Sequence, residues 1–161
     1  MRKVILTGTL LLFATYSFCQ GTKTNGTIYI NHPNIDAVNK AMDAYMKKDD
    51  ATNMSIYSDT AKFWISGSME KPVGIKDAMK MWDSDFDYYD SIKVKAFGYP
   101  DYLEYAKDDA RVVQSWWKWS GKSKKTGDMV TIDLVQFDDF NKDGKIVFET
   151  LYGDFSKMVK D

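Results

Sequence analysis

Residues 129–154 read MVTIDLVQFDDFNKDGKIVFETLYGD, and this stretch decides the fold. Val130, Ile132 and Leu134 alternate with Thr131, Asp133 and Val135, the period-two pattern of a strand with one apolar face. The pattern predicts a long strand from Met129 to Phe137, with Asp133 on the face turned away from the core. Asn141-Lys142-Asp143-Gly144 reads as a hairpin turn, because Asp-Gly tolerates the positive φ that such turns require. Lys145 to Phe155 then returns as a closing strand.

Upstream, Arg111 to Gly121 forms another long strand, joined to the first by the basic loop Lys122–Gly127. Tyr102 to Ala106 is a short strand. Before it, Ile92, Val94 and Ala96 alternate with Lys93 and Lys95 until Pro100 interrupts. The first half of the chain has a different period. Ile35, Val38, Met42, Tyr45 and Met46 recur at helical spacing behind a cap at Asn34. Asp49-Asp50 ends that helix and opens a short one, Ala51 to Tyr57; a strand follows from Asp59 to Ser66. Gly74 opens a third helix with Ile75, Ala78, Met79 and Trp82 on one face. Hairpin-length links favour antiparallel pairing. The expected class is α+β: a strongly curved antiparallel sheet, with three helices from the N-terminal half packed on its concave face.

The chain begins Met1-Arg2-Lys3, runs apolar from Val4 to Phe18, and turns polar after Cys19-Gln20-Gly21. A basic start, an apolar run of about 15 residues and small residues at its exit match a secretory signal peptide. The run is short of the roughly 20 residues that span a bilayer. The expected division is a signal peptide over 1–19, a Gly/Thr/Asn-rich flexible leader over 20–32 and one domain over 33–161. Cleavage after Cys19 implies export to a periplasmic or extracellular compartment. Two alternatives remain: acylation of Cys19 as a lipid anchor, and an uncleaved anchor. Cleavage would leave a cysteine-free chain, which suits an oxidising compartment.

A formal net charge of −1 argues against a nucleic-acid partner. A single cysteine excludes an internal disulfide, and a single histidine, His32, argues against a His-based metal site. No metal or cofactor is expected. With 15% aromatic residues the chain carries ample apolar volume for one core.

Several motifs recur in one order: Tyr45-Met46-Lys47-Lys48-Asp49-Asp50 at a helix end, Tyr57-Ser58-Asp59-Thr60-Ala61 at a strand start, and Gly74-Ile75-Lys76-Asp77-Ala78 at a helix start. Asp108-Asp109-Ala110-Arg111-Val112-Val113 and Phe140-Asn141-Lys142-Asp143-Gly144-Lys145-Ile146 precede Tyr152-Gly153-Asp154. Over Ile35 to Asp154 the chain resembles nuclear-transport-factor-2-like domains of the SnoaL-like and ketosteroid-isomerase-like superfamily. The resemblance implies a cone-shaped α+β fold, often dimeric, with a pocket between sheet and helices. Its members include isomerases, cyclases, dehydratases and non-catalytic binders, so the fold alone does not give the function. The Tyr and two Asp of ketosteroid-isomerase-like members fall here on Met42, on Trp64 or Ile65, and on Gln136, which leaves no general base at the key position.

Trp116-Trp117-Lys118-Trp119 places Trp117 and Trp119 on one strand face with Val113 and Ser115. That stripe reads as a pocket wall for an apolar or aromatic small ligand, or as packing in a core or dimer face. The pocket candidates are Tyr45, Trp64, Trp117, Trp119, Gln136, Tyr152 and Asp154, with Tyr152 and Asp154 as the polar pair at the cavity mouth. Asp139 to Gly144 matches the first half of a calcium loop, but the closing acid, Glu149, comes one place early, and strands rather than helices flank it. Asp83, Asp85, Asp87 and Asp90 form an acidic segment after the third helix, read as solvated loop or pocket lip. The expected function is an exported small-molecule-binding or accessory domain, a homodimer without the isomerase acid–base set. Two alternatives stand beside it: a small-molecule isomerase, lyase or hydrolase with an unrecognised acid–base pair, and a protein-interaction module whose cavity is filled.

Overall fold

The computed structural model describes residues 24–158. The expected signal segment and Cys19 lie outside the described residues. The order is β1 (Gly26–Tyr29), α1 (Pro33–Lys47), α2 (Asp50–Ile56), β2 (Tyr57–Ile65), β3 (Val73–Gly74), α3 (Ile75–Tyr88), β4 (Tyr89–Ala96) and β5 (Asp101–Tyr105). The long strands β6 (Arg111–Ser123), β7 (Met129–Phe140) and β8 (Ile146–Gly153) follow, then a 3₁₀ turn, Phe155–Lys157.

The helices stop and start on local chemistry. α1 begins two residues before the expected start, because Pro33 is pre-set for the first helical position. His32, not Asn34, is its cap: Nδ1 accepts the Asn34 N–H at 3.1 Å. The helix ends at Lys48, whose left-handed backbone (φ 55°) turns the chain. Asp49 then caps α2 by accepting the Thr52 N–H at 3.0 Å. The inward faces, Ile35, Val38, Ala41 and Ala44 of α1 and Ile75 and Ala78 of α3, are buried.

The sheet has eight strands in the order β1-β5-β6-β7-β8-β2-β3, with β4 beside β6. All pairs are antiparallel except β2 with β8. That parallel pair departs from the hairpin-based expectation. The chain reaches β8 from β2 only through α3 and five intervening strands, so no hairpin fixes their direction. A second difference lies in the expected leader. Residues 26–29 form β1 on the outer edge of β5, in register from Gly26 against Tyr105 to Tyr29 against Tyr102. The free edge of β5 offers N–H and C=O groups that a Thr/Ile/Tyr segment can pair. The Asn141–Gly144 turn forms as read: Asn141 Oδ1 accepts from Asp143 and Lys145 N–H, and Gly144 takes φ 72°.

Helices and sheet close on a core that includes Phe63, Tyr102, Ile132 and Ile146, each at most 1% exposed. Full burial of such side chains stabilises the fold by roughly 1.5–3 kcal/mol apiece. Among the described residues no helix is long and apolar enough to cross a membrane.

Candidate functional site

The three helices do not fill the concave face of the sheet. They leave a cavity of about 280 Å³ between α1, α2 and α3 and the inner face of β2, β6, β7 and β8. Its wall is mostly apolar, with Met42, Phe63, Met81, Trp82, Trp119 and Leu134 prominent. Two polar groupings interrupt that wall.

The first is built on β7 and β8. Gln136, Asp138, Tyr57 and Glu149 are all buried, at 2%, 0%, 5% and 4% exposure. Asp138 and Glu149 stand directly opposite each other across the two strands. Gln136 Nε2 donates to both Asp138 carboxylate oxygens, at 3.1 and 2.9 Å. The Tyr57 hydroxyl donates to Glu149 Oε2. Two carboxyl groups held this close away from water cannot both carry charge without large cost. Burial, and then the Glu149 charge, push Asp138 well above its ordinary carboxylate value, against the Gln136 hydrogen bond, which lowers it. Burial raises Glu149 to about 7, a rise that the Tyr57 hydrogen bond restrains. Burial and the neighbouring acids push the Tyr57 phenol well above its ordinary value. Of this group Gln136, Tyr57 and Glu149 line the cavity, and Asp138 lies behind them.

The second grouping joins α1, α3 and β6. Trp119 Nε1 donates to the Tyr45 hydroxyl at 2.9 Å, and Tyr45 donates to Asp85 Oδ2 at 2.9 Å. Burial and the Asp85 charge raise the Tyr45 phenol above its ordinary range. Gly121 makes room for this arrangement. A Cβ there would stand 2.7 Å from the outer edge of the Trp119 ring, which packs edge-on against Tyr89.

The structure therefore brings Tyr45, Trp119 and Gln136 together on the cavity wall. Trp64, Trp117, Tyr152 and Asp154 do not line it. Trp64 has the opposite parity to Phe63 and Ile65, and its indole N–H donates to the Met69 carbonyl at 2.9 Å. Trp117 shares the inner face but is packed in the core, its indole donating to Ser115 Oγ at 2.8 Å. Tyr152 sits opposite Val135 on the outer face, edge-on to Phe137 and 46% exposed. Asp154 precedes the 3₁₀ turn, its carboxylate accepting from the Ser156 hydroxyl, with Lys157 nearby. Asp133 lies outside as expected, paired with Lys118 at 2.8 Å.

The acids that do face the cavity, Glu149 and Asp85, had other expected places. Asp85 follows Ile75, Ala78 and Trp82 on the same helical face, so the periodicity carries it inward rather than into a loop. Asp138 continues the parity of Ile132, Leu134 and Gln136. Glu149 is harder to find. A register shift at the β7–β8 turn pairs Asp139 with Phe148 but Phe140 with Ile146, leaving Val147 as a bulge. Ile146 and Glu149, an odd number of residues apart, consequently face the same way. Among the described residues no three His, Cys, Asp or Glu side chains converge as a metal site.

No family model matches the sequence, and no curated protein is detectably similar to it. Solved structures are similar in fold. A nuclear-transport-factor-2-like protein from Burkholderia pseudomallei K96243 superposes with TM-score 0.64 at 11% identity, over 81% of this chain and 97% of that one. IdmH from Streptomyces antibioticus, a candidate polyketide cyclase, gives TM-score 0.63 at 14% identity, over 79% and 96%. A nuclear-transport-factor-2-like protein from Exiguobacterium sp. 255-15 gives TM-score 0.57 at 22% identity, over 73% and 98%. At these identities the likeness establishes the nuclear-transport-factor-2-like cone fold.

Proposed function

We propose that the domain takes a small, mainly apolar molecule into the cavity and that Glu149 exchanges a proton with it, as in isomerase- or cyclase-type chemistry. One observation carries this reading: a buried carboxyl on an apolar cavity wall, raised to about 7. A general base or acid works best when its pKa lies near the operating pH. Glu149 meets that condition where the positions implied by the resemblance hold Met42, Trp64 or Ile65, and Gln136. Tyr57 and Gln136 fix the two carboxyl groups in place. The candidate polyketide cyclase among the structural neighbours is in keeping with this chemistry.

The test is proton exchange. A panel of apolar ketones is incubated with the protein in D₂O, and deuterium uptake at the carbon beside the carbonyl is followed by NMR. Wild-type protein accelerates uptake for at least one member, and Glu149→Gln lowers that rate by about 10²–10⁴-fold. Uptake unchanged by Glu149→Gln overturns the assignment.

We also propose export with cleavage after Cys19, tested by intact mass of the protein recovered from its host. Homodimerisation through the outer sheet face, where Met129 and Tyr152 lie exposed, is tested by light scattering.

A further inference from the structure

We propose that the cavity selects an organic amine, its apolar body against Trp82 and Trp119 and its ammonium group donating to Glu149. The inference rests on the cavity being a ligand site and narrows that reading to a chemical class. The wall's titratable side chains are two carboxyls, Glu149 and Asp85, and two phenols, Tyr45 and Tyr57. Among the described wall residues there is no Lys, Arg or His.

The donors of the two polar groupings are already engaged. The Tyr57 hydroxyl is given to Glu149, that of Tyr45 to Asp85, the Trp119 N–H to Tyr45, and the Gln136 amide N–H groups to Asp138. Two wall acceptors are unengaged. Gln136 Oε1 and Asn53 Oδ1, on wall residues 2% and 3% exposed, accept no hydrogen bond from the described protein. With two carboxyls and no cationic side chain on it, this wall is complemented by a ligand that brings donors and positive charge. A primary ammonium brings three donors and a positive charge. A carboxylate or phosphate brings only acceptors and a charge of the same sign as Glu149. A neutral alcohol brings one donor and no charge.

Burying an ammonium is costly unless a counter-ion waits for it. Glu149, on the cavity wall, is that counter-ion. The aromatic faces add to the attraction, because an indole ring draws a cation to its π surface.

The experiment is calorimetric titration of the wild-type domain at neutral pH with matched probes. One set is 2-phenylethylamine, 2-phenylethanol and phenylacetate; the other is tryptamine, tryptophol and indole-3-acetate. The amine of at least one set binds at least about tenfold tighter than its alcohol, because its contact with Glu149 is charge-assisted, and the acids bind weakest. In Glu149→Gln that advantage falls below about threefold while alcohol binding is retained, as expected once the ion pair is gone. An alcohol or acid that binds as well as its amine overturns the amine assignment and leaves the cavity reading standing. If none of the six binds, both fail. The wild-type order decides the outcome even where the variant folds poorly.

Discussion

Strand β7 carries two acids five residues apart, and they lead opposite lives. Asp133 points outward, 62% exposed at its side chain, and meets Lys118 at 2.8 Å on the neighbouring strand. Asp138 points inward, fully buried, and meets another carboxyl, Glu149, with amide and phenol groups as donors. Residue type and strand are the same; parity is the whole difference. On the outside, water and a lysine accept the charge, and the pair adds little to stability. On the inside, burial resists charge and raises both carboxyls, Glu149 to about 7. The same parity that builds the core builds the chemistry.

The strongest way to break this comparison is to place an acid inward without partners. Ile132→Asp, next to Asp133 but 1% exposed, should cost about 3–5 kcal/mol in urea denaturation, by lost burial and an unpaired polar group. A cost near zero would show that parity is not what separates the two acids.

Next in size is Glu149 itself. Its pKa in the folded state is about 7 against an ordinary 4.5, so the folded form holds a proton that the unfolded form releases between those values. Its contribution is therefore most favourable below about 4.5 and is lost as pH rises through about 7. Glu149→Gln removes that dependence. It should raise stability above neutral pH by up to about 3 kcal/mol and change little near pH 4, read from denaturation midpoints across pH.

Tyr57→Phe tests the restraint on Glu149. Loss of the hydroxyl should cost roughly 1–3 kcal/mol and move Glu149 above about 7, followed by carboxyl NMR. A fall in the Glu149 value would contradict the role given to Tyr57. The smallest effect belongs outside: Asp133→Ala should change stability by less than about 1 kcal/mol, in the range of exposed ion pairs.

Much of this fold is legible in the sequence. The alternation from Val130 to Leu134, the Asp-Gly turn and the helical spacing of α1 and α3 are local signals, and the elements formed where they stand. The parallel β2–β8 pair and the added strand β1 are not local. They depend on which sheet edges remain free once the rest is assembled. The site divides in the same way. Tyr45 and Trp119 were legible from helical and strand spacing, and Gln136 from the family resemblance. Asp85 carried the right periodicity but was read within an acidic segment as solvated loop or pocket lip, and Asp138 lies one residue past the expected strand end at Phe137. Tyr152 was misplaced, and Glu149 missed as a wall residue, through one bulge at Val147, which inverts the parity of the last strand without leaving a mark in composition.

The most direct test of the central claim is a pH titration of the Glu149 side-chain carboxyl by ¹³C NMR, with the resonance assigned through Glu149→Gln. The expected midpoint lies near 7. A midpoint at the ordinary 4.5 would contradict it and remove the proton-exchanging group from the cavity.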